Sequence, residues 1–307
     1  MTAGQRFRVR AHAKINLVLR VGPPRADGYH PLHTVFQALA LHDTLSVTVR
    51  RGPFVLTCSD PEVPVDDRNL VTRAARQLWR AIGRTGEPSG VGIDIAKQIP
   101  MQAGLGGGSS DAAAALVALG RVWQPRGVSV DGASIAARIG ADVPFFLVGG
   151  TALGLGRGDD VYPLDDLPAS WVVLGFPGLG VSTAEAYGWF DDDRSRRAGR
   201  TRSISSSIDA WPGRRLDVVN DLEAPVSRRH PEIARIRDVL SASGARAAAM
   251  TGSGSAVFGL FDSRARAGRA ARAVAEAGFV ALINRTVDRR TCQRVHFWFA
   301  SSSPRHA

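Results

Sequence analysis

The sequence predicts an α+β protein built as two domains. Three observations carry this. The chain has 307 residues, 44% of them hydrophobic, enough for two cores or one large one. Strand-like alternation and helical periodicity both recur along its length, with strand-rich halves and helices packed on them. Prolines at 163 and 168 mark a passage between halves, giving expected domains 1–165 and 166–307.

The elements follow in order. Arg6–Arg10 and Ile15–Val21 read as strands, and the turn Gly22–Gly28 leads to Tyr29-His30. Leu45–Arg50 and Phe54–Cys58 read as a hairpin around Arg51-Gly52-Pro53. Pro61–Val65 is a loop. Asn69–Ile82 is a helix, because Leu70, Ala74, Leu78 and Ile82 recur every four residues. Val91–Ala96 alternates as a strand, and Ala112–Leu119 reads as a helix. Ala133–Ile139 is a short helix ending at Gly140; Phe146–Leu155 is a strand pair; Trp171–Phe176 is a buried strand. Asp191–Arg215, rich in Asp, Arg, Ser and Gly, is expected to be a solvated insertion. Pro231–Ser243 is an amphipathic helix, Ala248–Phe261 a strand, glycine turn and strand, and Arg264–Ala277 a helix. Val295–Ala300 is a last strand, and 301–307 a frayed tail.

The segment between Val91–Ala96 and the helix after it is the most informative. It reads Pro100-Met101-Gln102-Ala103-Gly104-Leu105-Gly106-Gly107-Gly108-Ser109-Ser110. Four glycines in five positions allow a tight bend and close approach to a ligand. Ser109, Ser110 and Asp111 are expected to cap the helix that follows. Such a loop aims unpaired N–H groups and a positive dipole end at one point, which is an anion site. Its spelling is not G-x-x-x-x-G-K-[ST], because no lysine follows the glycines. Nor is it G-x-G-x-x-G, because position 109 is serine.

Composition narrows the class. The net charge is +11 and the pI near 11.0, but the basic residues are scattered and accompany no nucleic-acid module. A positive field serves equally an enzyme whose substrates carry phosphates. Among 39 basic residues only Lys14 and Lys97 are lysines. A lysine kept where arginine prevails is a candidate for a role that needs a compact, titratable charge. No apolar run is long enough for a membrane helix. Cys58 and Cys292 lie far apart, so free thiols and a cytoplasmic location are expected. No His, Cys or carboxylate cluster has metal-site spacing, so no protein metal ligand is assigned.

Three blocks together resemble the GHMP kinase superfamily. They are the glycine loop, Ala13-Lys14-Ile15-Asn16-Leu17 with Asp27-Gly28-Tyr29-His30, and Met250-Thr251-Gly252-Ser253-Gly254-Ser255. The resemblance implies a ribosomal protein S5 domain 2-like N-terminal domain, a ferredoxin-like C-terminal domain and an active site in the cleft between them. It implies ATP with Mg²⁺, the phosphates lying on Pro100–Ser110. The Asp-Gly-Tyr-His spelling marks the branch whose alcohol carries cytidine diphosphate. The expected partners are therefore small molecules, ATP and a cytidine diphosphate alcohol, with no nucleic acid and no membrane. A monomer or weak homodimer is expected.

Phosphoryl transfer to an alcohol needs a phosphate cradle, a group to take the hydroxyl proton and nearby positive charge. Asp142 lies in an otherwise apolar stretch, where a carboxylate is costly to bury alone. A plain ion pair and a helix cap are alternative uses for it. The resemblance makes Asp142 the base and Lys14 its partner. It also places His30 on the cytosine. Tyr29 offers a stacking ring, Tyr187 an opposite wall, Thr183 a hydroxyl contact and Asn16 a hydrogen bond to the polyol. Val63, Pro64, Asn69 and Lys97 are expected around the adenine. Thr251–Ser255 either closes over the phosphates or is simply a tight hairpin.

Overall fold

The computed structural model describes residues 3–26, 28–125, 129–196 and 218–293. Its elements are β1 Arg6–Val21, β2 Leu32–Pro53, β3 Val55–Cys58, α1 Leu70–Ala81, β4 Ser89–Ala96, α2 Gly107–Trp123, α3 Gly132–Ile139, α4 Val143–Val148, β5 Thr151–Leu155, β6 Asp160–Pro163, β7 Trp171–Phe176, α5 Thr183–Arg196, β8 Val219–Asn220, α6 Glu223–Arg229, α7 Pro231–Ala242, β9 Ala247–Met250, β10 Val257–Phe261, α8 Arg264–Glu276, β11 Val280–Arg285 and α9 Arg289–Gln293.

Two sheets organise the chain. The first has seven strands along the path β3-β4-β2-β1-β8, with β5 on β2 and β6 on β5. The second has four, in the order β11-β7-β10-β9, and every pairing in it is antiparallel. With helices between β7 and β9 and between β10 and β11, that is the β-α-β-β-α-β ferredoxin-like arrangement. β8 returns from the second half of the sequence to pair with Val18 and Leu19 of β1.

β1 shows why the sequence folds this way. Its first half alternates, with Phe7 and Val9 buried and arginines outside, so one face meets water. From Ala11 to Leu19 every residue is buried, because the second sheet covers the other face. Ala13, Ile15 and Leu17 meet Val172, Leu174, Phe258 and Leu260 there. The register of β1 on β2 shifts between His12 and Lys14 and again between Asn16 and Val18. Bulges of this kind re-aim side chains, and here they flank Lys14 and Asn16. A second core lies between the first sheet and α1, α2 and α3, and a third under α7 and α8.

Several expectations are corrected. Arg6–Arg10 and Ile15–Val21 are one strand. Val55–Cys58 pairs in parallel with β4 rather than folding back on β2, because β2 already carries β4 along Thr44–Val49. Phe146 to Val148 belongs to α4, where Pro144 sits in the first turn and Gly149, at φ 71°, ends the helix; only Thr151–Leu155 is strand. Asp191–Arg196 is the last part of α5 rather than an insertion. The remainder of that expected insertion, the strand 295–300 and the tail 301–307 lie outside the described residues. Cys58 and Cys292 are free thiols, and no described helix is long and apolar enough to cross a membrane.

Candidate functional site

A cleft of about 580 Å³ opens between the two sheets. Pro100 to Ser109, Gly252-Ser253-Gly254 and Val181 to Thr183 line it. Lys14, Asn16, Thr34 and Asp142 lie at its floor, with Val63, Pro64, Asn69 and Lys97 at one end and Tyr187 at the other.

The glycine loop is shaped by what it touches. Gly104 and Gly106 have φ of 74° and 72°, a region that costs other residues energy. A Cβ on Gly104 would stand 2.1 Å from the Thr251 carbonyl oxygen, and one on Gly106 2.7 Å from the Phe146 ring. The Ala256 N–H donates to Ala103 O at 3.2 Å, so the loop and the Thr251–Ser255 turn are tied together. That turn is both a β9–β10 hairpin and a wall of the cleft.

The expected cap is corrected. Helix α2 starts at Gly107, preceded by Gly106 with no side-chain cap. Ser110 is buried and donates from Oγ to His12 O at 2.7 Å. Asp111 is buried and pairs with Lys97 at 3.0 Å. The first-turn N–H groups have no acceptor within the helix, and the residues that carry them line the cleft.

Lys14 Nζ lies 3.4 Å from Asp142 Oδ2, and the side chains are 4% and 34% exposed. Asp142 stands at the start of α4 but makes no capping hydrogen bond, and its carboxylate faces the Lys14 ammonium. Lys14 Nζ also donates to Asn16 Oδ1 at 2.7 Å, and Asn16 Nδ2 donates to Thr34 Oγ1 at 2.7 Å. Thr34 in turn donates to Val18 O. Asn16, expected to hold the polyol, thus has both ends of its amide engaged and orients Lys14. Thr251 Oγ1 accepts the Asn16 N–H at 3.0 Å.

Lys97 sits at one end of the cleft, but Asp43 and Asp111 hold its ammonium. Burial pulls the Lys97 pKa down, yet those two carboxylates outweigh it and the net direction is up. Asn69 caps α1, its Oδ1 taking the Val71 N–H, while Nδ2 donates to Pro64 O and so braces the loop beside it. Val63 and Pro64 offer apolar surface there.

At the opposite end Tyr187 is a wall of the cleft; burial, then the charge of Asp142, raise its phenol pKa. Thr183 Oγ1 lies 3.3 Å from Ser253 Oγ, and both residues line the cleft. His30 stands behind Tyr187, ring centroids 5.2 Å apart, with Nδ1 2.9 Å from Gly22 O and Nε2 3.2 Å from Asp191 Oδ2. Tyr29 is exposed, with the Arg157 guanidinium over its ring. Neither is among the described residues that line the cleft. Among the described residues no group of three or more His, Cys, Asp or Glu could hold a metal.

Sequence reasoning passed over Asp43, Thr34 and the partnership of Lys97 with Asp111. Asp43 had a signal: a carboxylate between His42 and Thr44, in a run that continues as the alternating strand Leu45–Arg50.

The match to known proteins is consistent with this geometry. The profile of the GHMP kinases N terminal domain matches residues 69–150, and that of the GHMP kinases C terminal domain residues 210–280. The 4-diphosphocytidyl-2-C-methyl-D-erythritol kinase of Solibacter usitatus is 43% identical over 86% of this chain and 84% of its own length. That of Anaeromyxobacter sp. strain Fw109-5 is 44% identical over 88% and 87%. A crystal structure of 4-(cytidine 5'-diphospho)-2C-methyl-D-erythritol kinase superposes with a TM-score of 0.74 at 38% identity, covering 91% of this chain and 98% of that one. The homoserine kinase of Cytophaga hutchinsonii, at 17% identity and a TM-score of 0.68 over 94% and 96%, shares the fold.

Proposed function

The chain belongs to the 4-diphosphocytidyl-2-C-methyl-D-erythritol kinase family of the GHMP kinases, and we propose that it transfers the γ-phosphoryl group of ATP to the 2-hydroxyl of 4-diphosphocytidyl-2-C-methyl-D-erythritol. The products are the 2-phosphate and ADP, on the non-mevalonate route to isoprenoid precursors. The observation that carries this reading is the Lys14–Asp142 pair at the floor of a cleft walled by the glycine loop.

The ATP phosphates fit the Gly104–Ser110 cradle, where a Cβ would collide and helix N–H groups have no acceptor within α2. Val63, Pro64 and Asn69 border the adenine, with Lys97 beneath the loop. Mg²⁺ would come with the nucleotide, and bound there it would neutralise charge on the transferred group. Asp142 takes the proton of the attacking hydroxyl as the new O–P bond forms and the bond to ADP breaks. Lys14, fixed by Asn16 and Thr34, keeps that carboxylate ionised and adds positive charge beside the hydroxyl. The cytidyl base lies toward Tyr187, whose ring His30 supports from behind, with Thr183 beside it.

The same reading has domains at 1–165 and 166–307 meeting at this cleft, and a cytoplasmic monomer or weak homodimer. Its test is ADP release from Mg-ATP on addition of the cytidyl alcohol. Turnover of homoserine or mevalonate in its place would reassign the acceptor.

A further inference from the structure

We propose that ATP binding in this cleft takes up a proton, and that the proton resides on Asp111 in the buried Lys97–Asp43–Asp111 cluster.

The cluster ties together three elements at the root of the phosphate loop: Asp43 on β2, Lys97 just after β4 and Asp111 in α2. It is buried, the side chains being 7% (Lys97), 0% (Asp43) and 4% (Asp111) exposed. It holds two carboxylates for one ammonium. Asp43 is fully used: Oδ1 accepts the N–H groups of Gln98 at 2.5 Å and Ile99 at 2.8 Å, and Oδ2 accepts from Lys97. Asp111 is half used. Its Oδ2 accepts from Lys97, while Oδ1 is buried and has no hydrogen-bond partner. A buried carboxylate oxygen with no donor is costly, and a proton on Oδ1 removes the uncompensated charge.

The surroundings agree. The residues that α1 and α3 bury are apolar: Val71, Ala74, Ala75 and Leu78, then Ile135, Ala136 and Ile139. From α4 come Val143 and Phe145, with Asp142 at its start; from β1 comes Lys14, on the far side of Gly106. From β3 comes the Cys58 thiol, whose pKa burial raises. Lys97 is therefore the principal positive charge facing Asp111. Burial, with Asp43's charge in addition, raises the Asp111 carboxyl to about 7 against the pull of Lys97.

Asp111 and Lys97 also line the cleft beside the loop assigned to the phosphates. This inference rests on that assignment. A triphosphate there adds negative charge, so the bound state favours the protonated carboxyl more than the free state does. The sign follows. Below about pH 7 the free protein already carries the proton. As pH rises through that value it loses the proton, and ATP must restore it or bind against an ionised Asp111. Affinity for ATP falls with rising pH, by at most tenfold per unit for one proton.

The test is calorimetry of Mg-ATP binding without the alcohol, at about pH 7.5, in two buffers of different protonation enthalpy, with Kd followed from about pH 6.5 to 8.5. The expected result is net proton uptake and a Kd that rises with pH, by up to roughly tenfold per unit for one proton. Asp111→Asn should bind ATP with no uptake and a flat Kd. Asp43→Asn, which leaves Lys97 paired to Asp111 alone, should also reduce the uptake, and serves if Asp111→Asn fails to fold. Wild-type uptake that persists in Asp111→Asn, or wild-type binding without uptake, overturns the proposal. Absence of ATP binding at every pH would instead remove the phosphate cradle.

Discussion

Replacement of Asp142 by asparagine keeps the size of the side chain and the start of α4 but removes the charge facing Lys14. At 3.4 Å the pair is worth about 5 kcal/mol at an effective dielectric constant of 20 and about 1 kcal/mol at 80. Asp142 is a third exposed, so solvent screening puts the net contribution near the lower figure. Lys14 keeps its 2.7 Å bond to Asn16 Oδ1. The expected loss of stability is about 1–2 kcal/mol, which a folded domain tolerates. The rate should fall much further. A positioned base is worth about 10²–10⁴-fold, and asparagine cannot accept the proton. Steady-state ADP release gives kcat, and calorimetry gives the affinity for Mg-ATP. The account expects kcat down by about 10²–10⁴ with ATP affinity within about twofold. A kcat within about fivefold of wild type would show that Asp142 is only a structural ion-pair partner.

Three further substitutions separate the ends of the cleft and the loop between them. His30→Ala removes the ring packed on Tyr187 and should raise KM for the cytidyl substrate about tenfold, of the order of 1.4 kcal/mol, with KM for ATP unchanged; a rise in KM for ATP instead would reverse the assignment of the two ends. Gly104→Ala places a Cβ 2.1 Å from Thr251 O at φ 74°, so it should cost about 1–2 kcal/mol from the backbone alone, with a lower Tm and weaker ATP binding. Gly108→Ala meets nothing within 4 Å and should leave Tm nearly unchanged; equal behaviour of the two variants would refute the close approach.

The sequence was most legible where local pattern and tertiary role coincide. Asn69–Ile82 and Arg264–Ala277 read correctly because one stripe of each helix faces a core. The tight bends of the glycine loop read correctly because they are a backbone matter, Gly104 and Gly106 both taking positive φ. Lys14 and Asp142 are far apart in sequence, and it was the resemblance that joined them. Other features lay in partners that no local window contains. Residues 34–37 of β2 carry β1 on one edge and β5 on the other, and buried Gln37 is bonded to Ala38, Thr151 and Val287. The α4 segment Phe146–Val148 is apolar enough to read as a strand; Pro144 and the left-handed Gly149 decide for helix. Lys97 was singled out by its rarity, but the burial of its two partners, Asp43 on another strand and Asp111 in α2, appears only when β2, β4 and α2 are assembled.

The most direct test of the central claim is turnover. Purified protein with Mg-ATP should release ADP in proportion to added 4-diphosphocytidyl-2-C-methyl-D-erythritol, with the new phosphate on the 2-hydroxyl, and should leave homoserine and mevalonate unphosphorylated. No ADP with the cytidyl alcohol, or equal turnover of an alcohol without the cytidyl group, would contradict the account.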